Sequence, residues 1–320
     1  MRPYAKLAWS VVGWNLAVVS WGAFVRATGS GAGCGSHWPL CNGEVLPRSP
    51  ALSTVIEFTH RATSGIAALL VVALVVGAWR SFPPRHPVRR AAWASLGIML
   101  LEAALGAGLV LFGWVARDAS FARGWVMGLH LVNTLLLLAG LALTADWASR
   151  PAGFSLAVPG VLAAGLWAAF AAMLVAGVTG AVAALGDTLV PGMPFEEGLR
   201  LGPEVPLEVR ALLRLRIAHP LVAVLAAGAL LAAARLAVAH RGDARVRGAA
   251  LRLAILTGVQ LGAGLVNVWL RAPVAMQLVH LLLADLVWIA FVLLAAAALA
   301  PAARADAPAP GPLATAPQRG

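Results

Sequence analysis

The sequence predicts an all-α integral membrane protein with eight transmembrane helices, arranged as two pseudo-symmetric four-helix bundles. Three observations predict this class: the composition, the number of long apolar runs and the spacing of four histidines. The 320 residues are 61% hydrophobic and 12% charged, whereas a soluble domain averages about 45–50% apolar and about 25% charged residues. So much apolar surface is stable only in contact with lipid.

Eight apolar runs are long enough to span a bilayer, which requires about 17–25 residues each. They lie at 7–26, 53–79, 91–114, 124–146, 156–185, 211–239, 249–270 and 274–299. The first run has no small-residue cleavage site close behind it, so we expect a retained helix and not a signal peptide. The Ala/Pro-rich segment 301–320 is predicted to be a disordered cytoplasmic tail.

The distribution of arginine predicts the orientation. Basic segments at the start of the chain and near 80–90, 150 and 241–247 fall on one side if the helices alternate. The positive-inside rule makes that side cytoplasmic. Both termini are therefore expected on the cytoplasmic side of the plasma membrane. The loops 27–52, 115–123, 186–210 and 271–273 are expected on the opposite side. The formal charge of +11 does not predict nucleic-acid binding, because no basic stripe with interleaved aromatic residues appears.

Four of the seven histidines lie inside apolar runs, one on each even-numbered run: His60, His130, His219 and His280. Each follows the predicted helix start by six to nine residues, or about 9–13 Å at 1.5 Å per residue. A single membrane histidine usually makes a helix–helix hydrogen bond, but four at one depth favour a cofactor. Imidazole is a usual axial ligand of heme iron, whereas a zinc or copper cluster would need more closely converging ligands. Two bis-histidine heme sites are predicted.

The histidine spacing also indicates an internal duplication. His60 and His219 are 159 positions apart, and His130 and His280 are 150 apart. Because each half contains an even number of helices, the halves share one orientation and would be related by an axis along the membrane normal. The predicted domains are therefore residues 1–150 and 151–300, each a four-helix bundle with one heme site.

The first half carries an acid beside its histidine. Glu57 precedes His60 by three positions and shares its helix face, and the matching residue in the second half is Arg216. A carboxylate inside a membrane costs about 2.5–3.5 kcal/mol unless it is paired, which favours a chemical role for Glu57. A structural ion pair with Arg61 is the alternative. Arg61 and Arg216 are also candidate partners of heme propionates. Two further acids in apolar runs stay unassigned, Glu102 and Asp285.

The stretch GSGAGCGSHWPLCNG, followed by EFTHR at 57–61, resembles the heme A synthase family. The histidine segments LHLVN, IAHP and LVHLLLAD resemble it as well. The cysteine loop and the E-x-x-H-R motif are specific together, although either alone would be weak. The resemblance extends to about residue 300.

Members of that family oxidise the C8 methyl of heme O, in successive steps, to the formyl group of heme A used by terminal oxidases. The resemblance implies that His60 and His130 hold the substrate heme O and that Glu57 is the catalytic carboxylate. It implies that His219 and His280 hold a heme b cofactor.

The resemblance also implies a disulfide between Cys34 and Cys41. An outward loop lies in an oxidising compartment, where a disulfide persists. The bond would either rigidify a lid over the first heme or act as a redox relay, and the sequence does not separate these roles.

Two other functions fit four membrane histidines: a diheme b-type electron carrier, and a heme transporter or chaperone. Neither accounts for the one-sided Glu57 or for the cysteine loop. The sequence has no flavin, nicotinamide or iron–sulfur motif, so we expect an external electron donor. The resemblance implies a heme O synthase as a partner. The oligomeric state is open, and a homo-oligomer is one of the alternatives.

Overall fold

A computed structural model describes residues 3–150, 152–155, 158–191, 200, 202 and 205–301, and eight long helices account for most of them. The helices are α1 (Pro3–Ala27), α2 (Leu52–Ser81), α3 (Pro87–Leu111), α4 (Phe121–Trp147), α5 (Gly160–Leu189), α6 (Leu207–His240), α7 (Ala244–Trp269) and α8 (Val274–Ala298). Each is long and apolar enough to cross a membrane, so the predicted all-α membrane class is confirmed. The predicted disordered tail lies outside the described residues from residue 302 onward.

Capping side chains explain why several helices start earlier than the hydrophobicity alone predicted. The Ser120 hydroxyl accepts a hydrogen bond from the Arg123 amide at 3.2 Å, which starts α4. The Asp243 carboxylate accepts one from the Val246 amide at 2.9 Å, which starts α7. Such caps satisfy amides that the helix itself leaves without acceptors. Polar residues outside the apolar run therefore belong to the helix.

The start of α6 differs from the sequence prediction in a way that affects a histidine. This helix begins at Leu207 and not near residue 211, so His219 lies twelve residues into it. The prediction that all four histidines lie six to nine residues from a helix start is therefore wrong for His219. Pro206 stands directly before the helix, and Glu208 lies in the first turn, where a negative charge favours the helix dipole.

Helices α1 to α4 pack in a ring, in which α1 contacts α2 and α4 while α3 contacts α2 and α4. Helices α5 to α8 contact one another in the same order, and α1 and α4 contact α5 and α8 across the halves. One continuous cluster of buried apolar side chains includes residues from all eight helices. The division into two four-helix bundles stays a prediction, because helices also contact one another extensively across the two halves. The symmetry that would relate the two groups stays a prediction.

Polar contacts join the halves in the middle and at one end of the bundle, and residues of both halves line a cavity at the other end. The Trp288 indole nitrogen donates to the Leu135 carbonyl at 2.6 Å. At one end of the bundle Arg245 pairs with Asp146 at 2.7 Å. At the other end, one cavity is lined by residues near the C-terminal ends of all four odd-numbered helices. Ala27, Ala116, Thr188 and Leu270 are examples. The N-terminal parts of the even-numbered helices, which carry the histidines, therefore all lie toward the same end of the bundle.

Candidate heme sites

Each membrane histidine packs against a glycine on the preceding helix. The four pairs are Gly22–His60, Gly106–His130, Gly180–His219 and Gly264–His280. A Cβ on the glycine would lie 2.9 Å from the ring Cε1 in the first and third pairs, 3.0 Å in the fourth and 3.9 Å in the second. In three pairs the ring therefore occupies space that any other residue would fill. The glycines of each half recur 158 positions later in the other.

In the second half the structure brings the two predicted ligands together. The ring centroids of His219 and His280 are 6.4 Å apart, and the ring planes are nearly perpendicular, at 85°. Two metal–nitrogen bonds of about 2.0–2.1 Å and two ring radii of about 1.1 Å would separate centroids by about 6.3 Å. The separation of the centroids therefore agrees with that of two imidazoles that share one metal ion. The Thr179 hydroxyl lies 3.1 Å from the His219 Nδ1 and fixes that ring from the side.

In the first half the two predicted ligands lie near Glu102, an acid for which the sequence predicts no role. His60 interacts electrostatically with His130 and with Glu102. The Glu102 Oε2 is 3.4 Å from the His130 Nδ1. Within the described residues neither the His60 Nδ1 nor the His130 Nδ1 has a hydrogen-bond partner, so the 3.4 Å contact is an electrostatic one. Glu102 thus belongs to the first histidine site.

Glu57 is buried, with 3% of its surface exposed, and both of its carboxylate oxygens are engaged. Arg61 pairs with Oε1 through Nη2 and through Nε, the latter at 3.0 Å. The Cys34 amide donates to Oε2 at 2.8 Å. The ion pair that was the structural alternative for Glu57 is therefore present. A catalytic role for Glu57 stays a prediction.

The loop before α2 is fastened to that helix by a disulfide and by several hydrogen bonds. Cys34 and Cys41 form the disulfide that the resemblance implied, and both are buried. The Arg61 guanidinium donates to the carbonyls of His37 and Leu40, at 2.5 and 2.7 Å. A Cβ on Gly33 would collide with the backbone of Ser53, so only glycine permits this approach. The loop is held directly above the Glu57–His60 turn.

The two arginines predicted as propionate partners are engaged with protein groups. Arg61 binds Glu57 and the loop, and the Arg216 Nε lies 2.9 Å from the Asp187 carboxylate. Arg26 bridges the two halves. Its guanidinium donates to the Thr188 hydroxyl at 2.6 Å and to the Gln277 side-chain oxygen at 2.9 Å. Whether Arg61 and Arg216 bind propionates stays a prediction.

Three observations fit these sites to heme, while the roles of the histidines as ligands stay predictions. The glycines leave each ring against bare backbone, the second-half rings are spaced for a shared metal, and three buried ring nitrogens have no hydrogen-bond partner among the described residues. Buried polar atoms normally have a partner, so rings that serve only to join helices would have both nitrogens satisfied. The His60–His130 and His219–His280 sets are the residues that would hold the iron.

The comparison with known families identifies the chain. The model of the COX15–CtaA family, described as cytochrome oxidase assembly protein, matches residues 5–292. The chain belongs to this family. The matched residues include almost all of the eight helices. They therefore include both histidine pairs and the disulfide loop.

Individual relatives carry two different names. A protoheme IX farnesyltransferase of Thermus thermophilus is 50% identical over 296 residues, which are 92% of this chain and 48% of that relative. A heme A synthase of Alkalihalophilus pseudofirmus is 41% identical over 98 residues, or 31% of this chain and 33% of the relative. One of Shouchella clausii is 38% identical over 128 residues, 40% of each. The chain spans about half the length, or less, of these curated relatives.

Sequence reasoning missed the glycines and the position of Glu102. A signal for the glycines was present, because they repeat at nearly the same interval as the histidines. No sequence signal placed Glu102 beside His130, because the contact joins α3 to α4 and depends on how the two helices are rotated. The contact between Glu57 and the Cys34 amide depends in the same way on how the loop folds back.

Proposed function

We propose that this COX15–CtaA protein is a heme A synthase, which oxidises the C8 methyl of heme O in successive steps to the formyl group of heme A. The family match over 5–292 and the heme A synthases among the relatives support the substrate class. The observation that carries the proposal is the His219–His280 pair, at 6.4 Å between centroids, together with the glycine pockets behind all four rings.

In this proposal the first half binds heme O through His60 and His130, and the second half binds heme b through His219 and His280. Heme b supplies one-electron redox chemistry when it is bound. Glu57 lies one helical turn from His60, beneath the disulfide loop. There its carboxylate would take up a proton or stabilise positive charge that develops at the reacting methyl. The loop would exclude water from that carboxylate.

The test is the heme content of cells that make heme O but lack a heme A synthase of their own. Expression of this chain should produce heme A, which chromatography and mass spectrometry of extracted hemes detect. The variant Glu57→Ala should retain bound heme O and lose heme A. Normal heme A in that variant would remove Glu57 from the chemistry.

Two controls separate chemistry from loop anchoring, because Glu57 also holds the Cys34 amide. Glu57→Gln keeps an oxygen that can accept from this amide but loses the charge, and we expect it to fail like Glu57→Ala. Thr54→Val removes a different loop anchor, the 2.7 Å hydrogen bond from Thr54 to the Gly33 carbonyl, and should still make heme A. Heme A production by Glu57→Gln would assign Glu57 a structural role only.

A second candidate is prenyl transfer, because the Thermus relatives are named protoheme IX farnesyltransferase. The chain covers 48% of the length of each of them, so the remaining half offers another location for that activity. Purified protein supplied with protoheme and farnesyl diphosphate distinguishes the two functions. Formation of heme O there would favour the transferase. The same heme extracts test a diheme electron carrier or a heme transporter, both of which would leave heme O unchanged.

The proposal includes a setting for the enzyme. The chain would lie in the plasma membrane with both termini cytoplasmic, as the arginine distribution predicts. A heme O synthase would supply the substrate. An external electron donor would serve a reaction that uses O2, and an external electron acceptor would serve one in which water supplies the oxygen atom. A homo-oligomer remains one arrangement of the active protein.

A further inference from the structure

We propose that Glu102 is a positioning residue that strengthens the bond from His130 to iron, and that Gln260 at the matching place leaves His280 a weaker ligand. The first heme site would then have the lower reduction potential. This inference rests on the proposed function only for the statement that the histidine pairs hold hemes. The juxtaposition of Glu102 with His130, and of Gln260 with His280, carries it.

Glu102 is fixed in place by two donors and aimed at one ring nitrogen. The Asn133 side-chain amide donates to Oε2 at 2.6 Å, and the Thr134 hydroxyl donates to Oε1. The same Oε2 lies 3.4 Å from the His130 Nδ1, which has no hydrogen-bond partner within the described part of the chain. The carboxylate therefore holds the Nδ1 side of the ring and leaves Nε2 for the metal.

Gln260 occupies the same place in the second half. Glu102 lies four residues, about one turn, before Gly106, and Gln260 lies four residues before Gly264. These are the glycines against which His130 and His280 pack. The Gln260 Nε2 is 3.3 Å from the His280 Nε2. Gln260 therefore contacts its histidine at the ring nitrogen opposite to the one that Glu102 faces in His130, and the His280 Nδ1 has no hydrogen-bond partner among the described residues. The chain therefore presents a carboxylate in one site and a neutral amide in the other.

The difference in charge predicts a difference in ligand strength. A carboxylate beside the distal N–H of a metal-bound imidazole attracts its proton and makes the ring a stronger donor. Ferric heme carries one more positive charge than ferrous heme, so the stronger donor and the nearby negative charge both stabilise the ferric form more. A neutral amide lacks this effect. The potential of the first site should therefore lie below that of the second.

The size of the effect follows from the general strength of such contacts. Loss of the group that hydrogen-bonds to a metal-ligating side chain typically lowers metal affinity about 10- to 100-fold. If that loss falls on the ferric form alone, a one-electron couple shifts by about 60–120 mV, at about 59 mV per tenfold change.

The experiment compares four full-length proteins in detergent: wild type, Glu102→Gln, Gln260→Glu and the double exchange. Each is loaded with hemin, and the potentials of the bound hemes are measured by spectroelectrochemical titration. We expect two potentials in the wild type. Glu102→Gln should raise the lower one by about 60–120 mV, Gln260→Glu should lower the upper one, and the double exchange should do both. Glu44→Gln, on an exposed loop residue, is the control for the loss of one negative charge.

Three results would overturn the inference. Unchanged potentials in Glu102→Gln and Gln260→Glu would show that these side chains do not tune the irons. A shift in Glu44→Gln as large as that in Glu102→Gln would assign the effect to total charge. If Glu102→Gln does not retain heme in the first half, Gln260→Glu alone decides, and an unmoved upper potential rejects the inference. Failure of the wild type to bind hemin would instead reject the proposed function.

Discussion

The two halves of the protein place histidines on the same scaffold but surround them with different charges. In the first half Glu57 lies one turn before His60 and Glu102 lies beside His130. The matching positions in the second half are Arg216 and Gln260. The glycines that receive the rings are shared by both halves. The comparison teaches that the ring pockets belong to the common scaffold, whereas Glu57 and Glu102 have no acidic counterparts at the matching positions of the second half.

The difference in charge bears on which half would carry the substrate chemistry and which would hold the cofactor. A buried acid costs free energy unless something pairs with it, and the first half pairs its acids with Arg61, with the Cys34 amide and with Asn133. The second half pairs Arg216 with Asp187 and places no carboxylate at the positions of Glu57 and Glu102. This difference supports the proposal that the first half carries the substrate chemistry and the second half holds a resident cofactor.

The largest effect should come from removing one ligand from each half in turn. We expect His130→Ala and His280→Ala each to bind one heme per chain when saturated with hemin, where the wild type binds two. The physical reason is that, in each variant, the iron of the altered half would lose one of its two axial bonds, while the histidine pair of the other half is unchanged. Pyridine hemochrome assays against protein concentration measure this ratio. Loss of both hemes in either variant would mean that the halves do not bind heme independently.

The sequence predicted the helices better than it predicted the neighbours of the membrane histidines. Apolar runs and intramembrane histidines such as His60 depend on composition along the chain, and these predictions located all eight helices. The start of α6 was wrong because the residues from 207 to 210 are not apolar throughout but still suit a first turn. Contacts between helices, such as Glu102 with His130, depend on helix rotation, which single-sequence periodicity does not fix.

A smaller effect should follow from placing a methyl group on the histidine-facing glycines. Gly22→Ala and Gly180→Ala put a Cβ 2.9 Å from the ring Cε1, so the ring must leave its rotamer, which costs about 0.5–1.5 kcal/mol. We expect heme affinity at the affected half to fall about 2- to 10-fold, measured by hemin titration. Gly106→Ala is the matched control, because its Cβ would lie at an ordinary 3.9 Å. Equal losses in all three variants would contradict the steric explanation.

The smallest effect concerns the contact that joins the halves. Trp288 is fully buried and donates from its indole nitrogen to the Leu135 carbonyl at 2.6 Å. Trp288→Phe removes that hydrogen bond, which is worth about 0.5–1.5 kcal/mol, while the carbonyl can keep its bond within α4. We expect the midpoint of thermal unfolding to fall by about 1–4 °C with two hemes still bound.

Trp167→Phe is the matched control for that substitution, because Trp167 is 69% exposed and should be replaceable without effect. The fluorescence-monitored melting curves of the two variants separate the loss of buried contacts at Trp288, which are the hydrogen bond and the packing of the larger ring, from the same substitution at an exposed site. If Trp288→Phe melts like Trp167→Phe but loses heme from one half, then this contact shapes a heme site. The halves would in that case be coupled through α4 and α8, and the distinction between a half that carries the substrate chemistry and a half that holds the cofactor would have to include the interface between them.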